Sequence, residues 1–96
     1  MRQNVIVKLK RERIYMGLGK RIKHRRKTLN LTADKLGEMI GKDRSTVYRY
    51  ERDDIDNVSI KVVEQIANAL NVTPGFLMGW ETLEESEQRL WKIKNK

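Results

Sequence analysis

The chain has no cysteine, a single histidine, a single proline and few aromatic residues, and each shortage removes a class of function. Without cysteine there is no disulfide framework, and with His24 alone the usual ligands of structural zinc or haem are missing, so no metal and no cofactor is expected. Such a chain suits a reducing cytoplasm, where it is expected to reside. No apolar run approaches the roughly 20 residues that span a bilayer, and the opening "MRQNVIVKLK" is too charged to read as a signal peptide. Glycine-rich phosphate loops and a nucleophile spaced with a base are also absent, so catalysis is the least supported class and no catalytic residue is expected.

Positive charge, by contrast, is plentiful and uneven. The 96 residues carry a net +8, composed of +10 over residues 1–31, +1 over 32–52 and −3 over 53–96. A basic chain polarised in this way points to a polyanion, either nucleic acid or an anionic membrane surface. The membrane reading needs a sustained apolar face opposite the charges, and lysines and arginines fall all round the segment 5–26. At this length, 39% hydrophobic residues support one small core and one domain.

Helical punctuation recurs at short intervals. "LGKRIKHRRKTL" sets Leu18, Ile22 and Leu29 on one stripe and is followed by Asn30, a residue tolerant of the left-handed position that ends a helix. Thr32 stands as the cap of "ADKLGEMI", whose Leu36, Met39 and Ile40 form an inward face and whose Asp34 suits the positive end of the helix dipole. After Gly41, Asp43 caps "RSTVYRYE", with Val47 and Tyr50 inward. Ser59 caps a fourth helix with a stripe of Ile60, Val63, Ile66, Ala67 and Leu70. Thr73 and Pro74 open a short fifth, and Thr82 with Glu85 is spaced as the capping box of a sixth. The expected fold is all-α. Residues 1–16 read as a basic arm, 17–80 as the domain and 81–96 as a C-terminal helix.

Two short helices joined through a glycine turn, the second with a polar outer face, make a helix-turn-helix. On "LGKRIKHRRKTLNLT", "DKLGEMIGKDRSTVYRYE" and "VVEQIANALNVTPGFLMGW" the chain resembles the Cro/cI-type repressors of phages and bacteria over about residues 17–80. Gly37, Gly41, Leu36, Ile40, Val47 and Tyr50 occupy the positions that a close-packed helix pair needs. The resemblance implies a lambda-repressor-like five-helix DNA-binding domain, carrying here an extra arm and a terminal helix. It implies that the third helix, about 43–52, enters the major groove of double-stranded operator DNA. The positions matching base contacts are Arg44, Ser45 and Arg49; Tyr48 lies beside them, either against a sugar or thymine methyl or merely covering the helix. Arginine suits the task because it can donate two bonds to guanine N7 and O6, worth roughly 1 to 3 kcal/mol of discrimination. The resemblance also implies a tie between Arg26 and Glu51.

Three departures from the family bear on the phosphates. Ala33 stands where a glutamine commonly begins the second helix, Lys42 replaces a small apolar residue in the turn, and "RDDID" brings three aspartates where the family often has glycine and basic residues. Phosphate contacts are therefore expected from Thr32, Lys35, Lys42, Arg52 and the arm. His24 reads as exposed, and Met16, Met39 and Met78 as core or interface filler.

A single recognition helix makes few base contacts, so a homodimer reading half-sites about 34 Å apart is expected. Its contact is assigned to Phe76, Leu77, Trp80, Leu83 and Leu90, with Ser86 interrupting the apolar seam. The alternative is that the last helix links to an effector domain. A regulatory protein partner, or an antitoxin-like role on the same fold, is the other non-enzymatic reading.

Overall fold

The computed structural model describes residues 17–52 and 58–95, all helical or in connecting turns. The arm 1–16 and the aspartates Asp53, Asp54 and Asp56 lie outside the described residues. Among the described residues the helices, in chain order, are α1 Leu18–Thr28, α2 Ala33–Ile40, α3 Arg44–Glu51, α4 Ile60–Ala69, α5 Pro74–Leu77 and α6 Leu83–Lys94.

Five of the six starts are set by a hydroxyl or carboxylate that satisfies an orphan amide. Thr32, Asp43, Ser59, Thr73 and Thr82 accept from the backbone N–H of Lys35, Thr46, Val62, Phe76 and Glu85 respectively. At α6 the Glu85 carboxylate reaches back to the Thr82 amide and completes the reciprocal box. Only α1 starts at Gly17 without a side-chain cap. The connections after α1 and α4 turn on Asn30 and Asn71, at φ 59° and 58°, a left-handed conformation that asparagine tolerates better than most residues.

The core takes one stripe from each of the first five helices. Ile22, Leu36, Val47, Ile66, Leu70 and Leu77 are at most 1% exposed, and each such side chain contributes about 1.5 to 3 kcal/mol by leaving water. The most intimate packing is between α2 and α3. A Cβ at Gly37 would lie 2.5 Å from the Lys42 carbonyl oxygen, so glycine at this helical position is what lets the turn fold back against α2. The same closeness allows the Lys42 amide to donate to the Gly37 carbonyl at 2.8 Å. Gly41 ends α2 at φ 72° and sends the chain into α3.

Several inward assignments are corrected. Met39 is exposed: the buried face of α2 is Ala33, Leu36, Gly37 and Ile40, and Met39 flanks a surface cleft with Gln65, Asn68 and Ala69 of α4. Ile60 opens α4 one turn above the buried Val63 and stays in water. Leu29 lies just past the last turn of α1 and is likewise exposed.

The junction between α5 and α6 is polar. Ser86 is fully buried; its Oγ accepts from the Thr73 amide at 2.8 Å, and the Thr73 hydroxyl lies within hydrogen-bond distance of it and also donates to Glu81. Arg89 closes the network by donating to the other Glu81 oxygen at 2.7 Å. Ser86 therefore turns toward the body of the domain and keys the first half of α6 to α5, where a seam between two copies had been expected to run. Leu77 is corrected for the same reason: with no exposed surface it belongs to the core of one chain and is not available to a second.

Candidate nucleic-acid interface

The third helix divides by its helical period into an anchored face and a free one. Val47, Tyr50 and Glu51 are buried, whereas Arg44, Ser45, Tyr48 and Arg49 are exposed, with Arg52 following at the C-terminal cap. The anchored face fixes the rotation of the helix about its axis, and the exposed one follows from it.

Glu51 is the polar half of that anchor. Arg26 of α1 donates to it from Nε at 2.6 Å and from Nη2 at 3.0 Å, a two-pronged contact that is nearly sealed from water. The remaining terminal nitrogen, Nη1, donates to the Leu31 carbonyl at 2.9 Å. One guanidinium thus ties α1, the α1–α2 turn and α3 together, and the Glu51 carboxylate holds Arg26 above its ordinary pKa.

Two further arginines of α1 are struts that sequence reasoning missed. Arg25 donates from Nε to the Leu70 carbonyl at the end of α4, at 3.1 Å. Arg21 donates to the Phe76 carbonyl at 2.9 Å and places its guanidinium 5.2 Å from the centre of the Phe76 ring. The signal was present in the spacing: residues 21 and 25 follow Leu18 by three and seven positions, on the edge of the apolar stripe. Part of the basic character of the N-terminal third is therefore spent inside the fold.

At the leading end of α3, the Asp43 carboxylate accepts from the Thr46 amide at 2.8 Å. The Thr46 side chain, together with that amide bond and the nearby charge of Arg49, holds its pKa below the ordinary carboxylate range. Arg44, the first residue of α3, lies 3.6 Å from the carboxylate of Asp34 in the first turn of α2, and both side chains are largely exposed. This pairing was not read from the sequence, because residues ten apart become neighbours only once the turn has folded.

Of the expected phosphate contacts, Thr32 is exposed with its oxygen occupied as a cap acceptor, which leaves its hydroxyl proton for an outside acceptor. Lys35 is 3.6 Å from Glu38 on the same exposed surface, and Lys42 projects from the turn between the two helices. Ala33 is 2% exposed and contributes packing alone. His24 is on the outer side of α1. Among the described residues no cluster of acidic or histidine side chains is arranged for a metal, and no helix is long and apolar enough to cross a membrane.

This architecture agrees with the comparisons. A family model described as helix-turn-helix matches residues 22–77, which is more than half of the chain and runs from within α1 to the end of α5. The chain belongs to the Cro/cI-type helix-turn-helix family. It is 37% identical over 79 residues to the immunity repressor protein of Bacillus phage phi105, a match covering 82% of this chain and 54% of that protein. The chain therefore spans about half the length of that relative. No solved structure matches. The Cro/cI-type family is one of DNA-binding regulators, and that membership sets this helix-turn-helix chain apart from enzymes.

Proposed function

We propose that the chain is a sequence-specific transcriptional repressor that reads operator half-sites in duplex DNA by laying α3 in the major groove. The observation that carries this reading is the division of α3. Its inner face is held by Val47, Tyr50 and the Arg26–Glu51 contact, and its outer face offers Arg44, Ser45, Tyr48 and Arg49 to whatever lies beyond. The residue types suit base edges: arginine for guanine, serine for either base type, and tyrosine for the apolar thymine methyl or a sugar. Thr32, Lys35, Lys42 and Arg52 flank that face and supply the sequence-independent contacts that set register on the backbone. The direction of regulation is taken from the relative, named an immunity repressor.

Two copies acting together complete the reading, since one helix with three or four base contacts gives little discrimination over a genome. Apolar surface for such a contact remains around α5 and α6: Trp80 is 76% exposed, Leu83 37%, Trp91 65% and Ile93 69%, with Leu90 and Phe76 half-buried beside them. The expected dimer contact thereby moves off Leu77 and toward the two tryptophans.

Selection of binding sites from a random duplex pool tests the proposal directly. The expected result is a two-fold symmetric sequence whose half-sites are one helical turn, about 34 Å, apart. Recovery of no preferred sequence at moderate salt would rule out sequence-specific repression, and a preferred site without symmetry, bound at one chain per duplex in sedimentation, would rule out the dimer.

A further inference from the structure

The geometry points to Asp34 as a positioning residue for Arg44, one that sets how sharply the recognition helix discriminates at its leading end. This rests on the reading of α3 as the base-contacting helix.

Arg44 and Arg49 share the exposed face of α3, but their surroundings differ. Arg44 has a carboxylate 3.6 Å away, delivered by the first turn of the neighbouring helix, where Ala33 beside it is buried and Asp34 is the first polar side chain that can reach out. Among the described residues Arg49 has no such ion pair. The Asp34 contact is made through Nη1 of the guanidinium. An arginine carries five N–H donors in a planar fork. With Nη1 turned to Asp34, the Nε and Nη2 edge remains as two parallel donors, the arrangement that meets N7 and O6 of a guanine.

Two consequences follow. A long flexible side chain held at one end loses less freedom when it docks, so the correct base is met by a fork already oriented. A negative charge beside Arg44 also opposes its use as a general phosphate binder, because the Asp34 carboxylate is repelled by the same backbone that attracts the guanidinium. Both effects favour the matched base over unrelated DNA, and the second does so at a cost in non-specific affinity. Specificity achieved partly by weakening the wrong complex is a general strategy in recognition.

Asp34→Asn removes the charge and keeps the size. It is to be measured alone, together with Arg44→Ala, and beside Asp34→Glu, against the selected site, its single-base variants and an unrelated duplex at fixed salt. An exposed ion pair is a modest interaction, so Asp34→Asn should lower the preference at the base pair read by Arg44 by about two- to fivefold. It should raise affinity for unrelated duplex, leave the preference at the Arg49 base pair unchanged, and have no effect on preference in the Arg44→Ala background. Asp34→Glu should restore part of the preference. A uniform gain in affinity for every duplex with preferences intact would make Asp34 an ordinary surface acid and overturn the proposal, as would an effect that persists without Arg44. Failure of the underlying reading looks different: Arg44→Ala alone would leave the preferred site unchanged, and the positioning role would fall with it. Thermal melting of each variant separates these outcomes from loss of fold.

Discussion

Arginines of α1 and arginines of α3 are chemically identical and do opposite work. Arg25 and Arg26 are 8% and 6% exposed, with their donors turned to the Leu70 carbonyl, the Leu31 carbonyl and the Glu51 carboxylate. Arg44 and Arg49 stand in water on the free face of a helix whose other face is fully occupied. The difference shows why net charge is a poor guide to where a polyanion sits. The most basic third of the chain spends three of its arginines, Arg21, Arg25 and Arg26, as internal ties, while the middle segment, nearly neutral in sum, carries the exposed arginine-bearing face of α3. The sum there is near neutral because Asp34, Glu38, Asp43 and Glu51 offset its five basic residues, and each of these acids is engaged, in an ion pair, a second ion pair, a cap and an anchor respectively.

The comparison is broken most forcefully at Glu51. Removing one partner of a buried pair leaves the other charge without compensation, which costs about 3 to 5 kcal/mol. Glu51→Ala is therefore expected to lower the melting temperature by well over about 10 °C for a domain of this size, and circular dichroism melting would show it. An unchanged melt would mean that Arg26 finds water in solution and that α1 is not tied to α3.

Next in size are the outward arginines. Arg44→Ala or Arg49→Ala should relax discrimination at one base position by about 1 to 3 kcal/mol. Stability should stay within about 0.5 kcal/mol, as for ordinary surface changes. Lys42→Ala, in the turn beside them, should instead weaken all duplexes alike and reduce the salt slope by about 1. Titrations at several salt concentrations against matched and mismatched sites distinguish the two patterns, and a uniform loss for both arginines would move the reading head elsewhere.

A third substitution sharpens the contrast from within α1. Arg25→Gln shortens the side chain and removes the Nε donor to the Leu70 carbonyl, so a net hydrogen bond of about 1 kcal/mol is lost from stability. Base preference at saturating DNA should not change. Chemical denaturation with the gel-shift profile of the same protein measures both, and a changed base preference would mean that Arg25 reaches DNA after all.

What was legible in the sequence was what is decided locally. Thr32, Asp43, Ser59, Thr73 and Thr82 each satisfy an amide within three residues, and Gly41 and Asn30 adopt their conformations through their own backbone constraints, so type and spacing were enough. The all-helical class and the helix pair at 33–51 follow from the same local marks together with period. What was not legible depends on which side of a helix the rest of the chain happens to cover. Ser86 looked like a flaw in an apolar seam because the amide that needs it, on Thr73, lies 13 residues away across a turn. Leu77 and Trp80 are both large and apolar and stand three positions apart, yet one is sealed and the other 76% exposed, since Leu77 points into the core that α1 and α4 enclose. The tie between Arg26 and Glu51 spans 25 residues and entered through family resemblance, not through any spacing rule.

The smallest expected effect concerns the cap of α3, and it is one of pH. The side chain and amide of Thr46 and the charge of Arg49 favour the ionised Asp43 carboxylate in the folded chain, so its folded pKa is below its unfolded one. A depressed carboxylate pKa contributes stability that is fully present above the unfolded value and is lost as pH falls through the folded value. Asp43→Asn keeps a competent cap acceptor but removes the titration. Near neutral pH the native chain should therefore be slightly the more stable of the two, and the gap should close on acidification through and below the usual carboxylate range. Melting temperatures of both proteins followed downward from neutral pH test this. A gap that widened in acid would mean that Asp43 is stabilised in its protonated form, and its placement as the cap at the leading end of α3 would have to be abandoned.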